Sequence, residues 1–427
     1  MVTLVWILLL VLFVIGVPVG FSLIICVIPY FAATGSIPMQ VVIQRFIAST
    51  ESIALLAIPF FISAGSIMNY SGITEKLMNL ADLMVGHIPG GLGHVNILLS
   101  TMMGGLSGSC AADAAQETKI LVPEMIKKGY DKPFCAAVTA ASSLITPIIP
   151  PGIGLVVYAY CTDTSVGKMF ASGYLPGFLM CLSLMLLVSY LAKKRKYPCQ
   201  REHIAPLKDI AKCFVDSLWA LGLPVILIVG LRMGIFSATE GGAICCLYSL
   251  FVGAFIYKNI KLKHLVPIIR DAVLSSCTVM IISSAASIFS YFLSFETIPQ
   301  RLATALGSVV NSGTVLMLLV VLLFLAIGMF MDGTAAMLVI APILAPVAKT
   351  LGVDMVYFGL VMVMCCAVGA ITPPFGAIIY LVAPMMKMRV SDFIKELMPF
   401  IAVLVLDILI VVFIPQLATL LPNLIYG

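Results

Sequence analysis

The chain has 427 residues, of which 62% are hydrophobic and 10% charged, with a net charge of +5; its mean hydropathy is +1.16. Ordinary soluble domains are about 25% charged, so a water-soluble globule is excluded and a bilayer is the expected solvent. Residues 133–162, 302–331 and 355–386 contain no Asp, Glu, Lys or Arg, and each run exceeds the roughly 20 residues that cross a hydrocarbon core.

In chain order, residues 4–33 are apolar around Gly16 and Pro18 and read as one long tilted helix or two short ones, with the internal repeat described below favouring two. The apolar start has no basic residue before Arg45 and reads as a span, not a secretory leader. A span at 52–70 follows. At 73–84, Ile73, Leu77, Leu80 and Met84 share one helical face and Glu75, Lys76, Asn79 and Asp82 the other, which suits a helix lying in the membrane interface. Residues 91–126 form two apolar arms meeting at Ser107-Gly108-Ser109, each too short for a comfortable crossing, so a re-entrant hairpin is expected. A proline-broken helix at 132–160, an interfacial piece at 165–174 and a span at 175–192 complete the first half.

The basic connection 193–215 carries Lys193, Lys194, Arg195, Lys196, Arg201, Lys208 and Lys212. Beside membrane spans such a cluster marks the cytoplasmic side; no nucleic-acid partner is expected. Two spans, 216–232 and 236–257, return the chain to a second basic loop at Lys258, Lys261 and Lys263. An interfacial segment at 299–310, a hairpin at 313–350, a broken helix at 354–384, a second interfacial piece at 388–397 and a span at 398–421 follow. Traced from the basic loops, the first hairpin opens to the cytoplasm and the second to the opposite side.

The second half echoes the first. An offset of 223 residues superposes Pro123 on Pro346, Gly129 on Gly352, Asp131 on Asp354, Pro150-Pro151 on Pro373-Pro374 and Pro176 on Pro399. Coincidence of this many punctuation residues at one offset indicates duplication. The expected fold is an all-α polytopic membrane protein of two inverted-topology repeats, residues 1–192 and 216–427. Each repeat contains a re-entrant helical hairpin and a proline-broken transmembrane helix.

Interrupted helices at mid-membrane are the best sequence pointer to a secondary transporter's binding site. Helix N-termini suit a carboxylate, and unwound carbonyls suit Na⁺. Gly104, Gly105, Gly108, Gly328 and Gly333 allow close backbone approach. Ser107, Ser109, Thr334 and Thr372 add oxygen ligands, and Ser142 and Ser143 line the space between; the competing reading is that the small residues only permit tight helix packing. An acid deep in a span costs about 2.5–3.5 kcal/mol on insertion scales, so Asp332 is expected to be protonated, paired or beside a bound cation. Asp113 reads either as a site residue or as a cap on the second hairpin arm, and Glu117 and Glu240 read as structural or loop-facing. His87 and His94 read as packing at a membrane edge. Twelve cysteines lie scattered, mostly through apolar segments; the adjacent pairs Cys245-Cys246 and Cys365-Cys366 have neither CxxC spacing nor a nearby histidine and read as packing residues.

The chain resembles the large membrane subunit (DctM-type permease) of the tripartite ATP-independent periplasmic (TRAP) transporters over essentially its whole length. The resemblance rests on VPVGFSL at the start, LLAIPFFISAG at 55–65, GGLSGSCAADAA at 104–115, KKGYDKPFCAAVTAASS at 127–143, PIIPP at 147–151, ATEGGA at 238–243, DGTAA at 332–336 and ITPPFG at 371–376. It implies an elevator-type transporter in a bacterial inner membrane, driven by Na⁺. Its implied partners are a four-helix small membrane subunit (DctQ-type) and a periplasmic substrate-binding protein (DctP-type). The implied solutes are organic acids: C4-dicarboxylates, sialic acids, other sugar acids or keto acids.

Carried onto this sequence, the resemblance assigns the solute to Ser107, Gly108, Ser109, Ser142, Ser143, Asp332, Gly333 and Thr334. It assigns Na⁺ to Ser107, Ser109, Thr146, Pro150, Gly328, Asp332, Thr334, Ala370, Thr372 and Pro373. Thr146, Gly152 and Gln116-Glu117 depart from the residues usual in the family.

The rival readings are a Na⁺- or H⁺-coupled carboxylate carrier working without a binding protein, a channel, and a membrane enzyme. An enzyme is not expected, because no HExxH or GxSxG occurs and no histidine falls mid-span to serve as base or ligand. The absence of a GxxxxGK[ST] loop leaves no ATP hydrolysis by that route.

Overall fold

The computed structural model describes residues 1–427 except positions 36, 52–54, 106–107, 202, 299–300, 302–311, 330–332, 374–375 and 427, and the side chain of Val14. The described residues are helical and contain no strand. Among the described residues six helices are long and apolar enough to cross a bilayer, and shorter apolar helices accompany them.

The apolar start is two helices, α1 (Val2–Ile15) and α2 (Val19–Thr34). Gly16 closes α1 in the left-handed conformation at φ 84°, and Pro18, lacking an N–H, precedes α2. α3 (Met39–Thr50) and α4 (Ala57–Tyr70) follow; among the described residues of the expected span at 52–70, helix begins at Ala57. α5 (Ile73–Val85) buries Ile73, Leu77 and Leu80 as its pattern requires, while Met84 is exposed.

The glycine-rich stretch lies between α6 (Gly91–Gly104) and α7 (Cys110–Ile120), and α8 (Val122–Lys127) continues α7. α9 (Lys132–Ser142) ends in a single 3₁₀ turn, and the chain runs without helix to α10 (Ile153–Thr162). In the second half, α15 (Gly313–Gly328) and α16 (Gly333–Thr350) flank the second tip. α17 (Met355–Gly369) and α18 (Ala377–Met385) come next.

Two expectations are corrected. Residues 165–174 and 175–192 are not separate elements but one 30-residue helix, α11 (Val166–Arg195), with Pro176 inside it. Likewise 388–397 joins the following span as α19 (Val390–Phe413), which contains Pro399 and is succeeded by a short α20 (Gln416–Tyr426). The prolines at the 223-residue offset read as boundaries, yet a membrane helix tolerates the missing N–H where neighbours pack around it; Pro176 is buried. The stretch between the second basic loop and residue 299, to which the sequence pattern assigned no element, is a 34-residue helix, α14 (Leu262–Phe295). It follows α12 (Leu207–Arg232) and α13 (Ala238–Phe251), which a π turn extends to Ile256. The interfacial segment expected at 299–310 lies almost wholly outside the described residues.

The first arms of the broken helices form the centre of the protein. α17 is buried at every position from Val356 to Gly369, and α9 from Phe134 to Ser142; a helix apolar on all sides belongs in such a core. Their second arms cross over: α10 packs on α16, and α18 packs on α7. Each half's broken helix thus rests on the other half's post-tip helix. On one side of this core, α4 packs on α13 and α14, and α14 also contacts α2, α3 and α16.

Candidate functional site: a cavity between two helix starts

A cavity of about 390 Å³ opens where the two interrupted regions meet. Gly108, Ser109 and Cys110–Ala112 at the start of α7 line it, as do Gly333 and Thr334 at the start of α16. Pro147 and Gly154 bring in the first break, and Ala370 the second. Ser66 and Asn69 of α4 and Ser275 and Thr278 of α14 form the facing wall. Two helix starts therefore converge on one small polar-rimmed space, each bringing backbone N–H groups and a partial positive charge of about half a unit.

The local sequence explains the geometry. Ser109 is the N-cap of α7 in extended backbone and accepts from the Ala112 N–H at 3.5 Å. Gly108 adopts φ +60°, and a Cβ there would lie 2.6 Å from the Pro151 carbonyl; only glycine lets the turn close against the first break. In the second half, a Cβ on Gly328 would meet the Gly369 Cα at 2.7 Å, so α15 and α17 touch backbone to backbone. Cys366 Sγ donates to the Gly333 carbonyl at 3.3 Å, holding the start of α16 against α17.

Of the expected site residues, Gly108, Ser109, Gly333, Thr334 and Ala370 line this cavity. Ser107 and Asp332 lie outside the described residues. Ser142 and Ser143 do not line it: both are fully buried, Ser142 donating to Asn96 Oδ1 at 2.6 Å and Ser143 to the Ala140 carbonyl at 2.9 Å. They sit behind the tip because α9 carries them into the core one turn before the chain unwinds. Thr146, Pro150, Gly328, Thr372 and Pro373 are also set back from the cavity wall. The Thr146 hydroxyl donates to Asp113 Oδ2 at 2.8 Å, and the Thr372 hydroxyl to the Val368 carbonyl at 2.8 Å.

Asp113 is not a helix cap, since Ser109 already occupies that position. It is buried one turn further along, and its Oδ1 has no hydrogen-bond partner among the described residues. Glu117 does not face a loop. It is buried on the same side of α7 and accepts from the Ser100 hydroxyl at 2.8 Å and the Ser142 hydroxyl at 3.4 Å. Asn96 extends this set, donating to Thr139 Oγ1 at 2.9 Å. Glu240 closes a capping box with Ser237 at the start of α13. His94 is buried, with Nε2 3.2 Å from the Ser189 hydroxyl.

Sequence reasoning missed Asp407, a buried acid on α19 that accepts from the Ser183 hydroxyl at 2.6 Å. It also missed the hydroxyl-bearing face of α14. The spacing of Ser275, Thr278, Ser283, Ser287, Ser290 and Ser294 was a usable signal, since these positions recur at three to five residues.

The family model for the tripartite ATP-independent periplasmic transporter, DctM component, matches residues 6–417. The chain is 34% identical over 410 residues to the sialic acid TRAP transporter permease protein SiaT of Haemophilus influenzae, covering 96% of this chain and 66% of that longer protein. It is 33% identical over 379 residues to the C4-dicarboxylate TRAP transporter large permease protein DctM of Pseudomonas aeruginosa, covering 89% and 88% of the two chains. In fold it is similar to the Alcanivorax borkumensis YdaH transporter, with a TM-score of 0.59, 15% identity and 88% of each chain aligned.

Proposed function

Because the chain belongs to the DctM component family of the tripartite ATP-independent periplasmic transporters, and is thus a multi-pass membrane transport protein, we propose that it carries an organic acid anion inward, coupled to Na⁺. The observation that carries this reading is the convergence of the α7 and α16 starts on one cavity. Two positive helix ends meeting at mid-membrane favour a carboxylate.

The Ser109 oxygen at the cavity wall and the set-back oxygens of Thr146 and Thr372, with the non-helical carbonyls of the two breaks, would hold Na⁺ at the tips. Ser107 and Asp332 would complete the two tips. With two Na⁺ per monoanion one net positive charge moves inward; one charge crossing 100 mV yields about 2.3 kcal/mol, while tenfold accumulation requires about 1.4 kcal/mol, so that coupling would concentrate a scarce monoanion.

The reciprocal packing of α10 on α16 and α18 on α7 supports two inverted copies that together move the solute between sides, in the manner of an elevator. By family, the solute arrives on a periplasmic binding protein and a small membrane subunit completes the transporter, in a bacterial inner membrane. The names of the relatives leave a sialic acid and a C4-dicarboxylate as the first solutes to try.

The test is uptake of radiolabelled sialic acid and succinate into proteoliposomes holding this chain and its small subunit. It is run with and without the binding protein, under an inward Na⁺ gradient and under a K⁺ gradient in its place. Uptake that needs both Na⁺ and the binding protein is expected. Equal uptake without the binding protein would favour an autonomous carrier, and equal uptake in K⁺ would remove the sodium coupling.

A further inference from the structure

A second cavity, of about 450 Å³, lies between α3, α10, α14 and α16. Arg45, Tyr160, Ser283, Ser287, Ser290 and Ser294 are among its lining residues. It is continuous in register with the central cavity along three helices. α14 contributes Val279 to the central cavity and Ser283 to this one, α16 contributes Met337 and then Leu338, and α10 contributes Gly154 and then Tyr160. Four residues of helix separate Val279 from Ser283, a rise of about 6 Å.

The chemistry of this second space is lopsided. Arg45 is permanently charged, and its guanidinium carbon sits 4.8 Å from the ring centre of Tyr291, a contact that orients the planar group without neutralising it. Among the described residues Arg45 forms no ion pair, and no described residue lining the cavity is acidic. Ser283 is 98% buried, and among the described residues its hydroxyl has no hydrogen-bond partner. A buried hydroxyl without a partner costs free energy that a bound acceptor would recover. Ser283, Ser287, Ser290 and Ser294 succeed one another at four, three and four residues, a single helical face. One fixed cation and a ladder of hydroxyls, with no competing acid, match a carboxylate carried by a hydroxylated or second polar group.

We propose that the Arg45 cavity is a second binding station for an organic carboxylate, occupied before the solute reaches the central cavity. The proposal rests on the transport reading above. The opposite end of α14 supplies His264 to a third cavity together with Lys261 and Lys263, residues of a basic loop that marks the cytoplasmic side. The Arg45 station therefore faces outward, where a delivered solute arrives. A carboxylate held there lies about one helical turn along α14 from the wall of the central cavity.

The experiment is arginine modification by phenylglyoxal on the full chain with its small subunit in lipid nanodiscs, followed residue by residue by peptide mass spectrometry. Arg232 serves as the internal reference. Sialic acid, succinate and gluconate are the probes, with glucose and sulfate as controls.

At least one carboxylate is expected to slow modification of Arg45 several-fold while leaving Arg232 unchanged, and glucose and sulfate are expected to do neither. Ser283→Ala should weaken this protection, and Ser109→Ala, at the first tip, should leave it intact. In proteoliposomes Arg45→Ala should raise the KM for uptake roughly tenfold, the loss of one charge-assisted contact, with Arg45→Lys intermediate. Arg45 modification that no carboxylate slows, that sulfate slows equally, or whose protection vanishes in Ser109→Ala would overturn the station. Because the protection readout needs no transport, a missing sodium or binding-protein dependence would sink the transport reading and leave this result legible.

Discussion

The hydroxyl of Thr146 donates to Oδ2 of Asp113 at 2.8 Å, tying the unwound stretch of the first broken helix to the arm that follows the first tip. This bond joins two segments that both have to stay in place around the cavity. Thr146→Val removes the donor and should lower stability by about 1–3 kcal/mol, the usual cost of depriving a buried carboxyl of a partner. Thr146→Ser should restore most of it. Thermal unfolding of the purified protein in one detergent checks both; equal melting of all three proteins would show that the bond contributes nothing.

At the second tip the constraint is steric. A methyl on Gly369 would approach the Gly328 Cα to 2.7 Å, and backbone cannot yield as a side chain can. Gly369→Ala should cost about 1–3 kcal/mol through overpacking and should depress uptake. Normal melting and normal uptake of Gly369→Ala would mean that α15 and α17 separate freely.

Ser107 and Asp332 bear on the transport reading most directly. Ser107→Ala and Asp332→Ala should abolish Na⁺-driven uptake while expression stays near normal. Full activity of both variants in the proteoliposome assay would remove the tips from the mechanism.

On α19, Asp407 accepts from Ser183 across the contact with α11. Ser183→Ala leaves a buried acid without that donor and should destabilise by about 1–3 kcal/mol. The double variant Ser183→Ala/Asp407→Leu should recover much of the loss, since replacing both partners removes the unmet group. A double-mutant cycle by thermal unfolding would instead show simple additivity if the two do not interact.

Beyond the end of α11, burial and then the hydrogen bond to Asp131 Oδ2 (2.6 Å) push the Tyr197 phenol up to about 12. A folded-state value raised above the ordinary 10 or so means that the neutral phenol's contribution is complete below about pH 10 and is lost as pH rises through 12. The destabilisation caused by Tyr197→Phe should therefore be the same at about pH 6 and about pH 9. A difference that grows between those two melts would contradict a neutral Tyr197 phenol donating to Asp131.

What could be read from sequence was punctuation. Glycine and proline announce where a helix stops, so the separation of α6 from α7 and of α9 from α10 was visible in the residues themselves. Pro176 and Pro399 misled for the same reason: their cost depends on what packs beside them, which a single chain segment does not reveal. The partners of Asp113, Glu117 and Asp407 were invisible because a carboxylate's role depends on donors 17 to 224 positions away in the chain. The length of α14 was obscured by its composition, in which serines dilute the apolar run although they line cavities on one face.

The crossed arrangement of α10 on α16 and α18 on α7 has a mechanical corollary. With each half's broken helix braced on the other half's post-tip helix, a substitution that loosens either contact bears on both halves at once, so neither half's packing can be varied by itself.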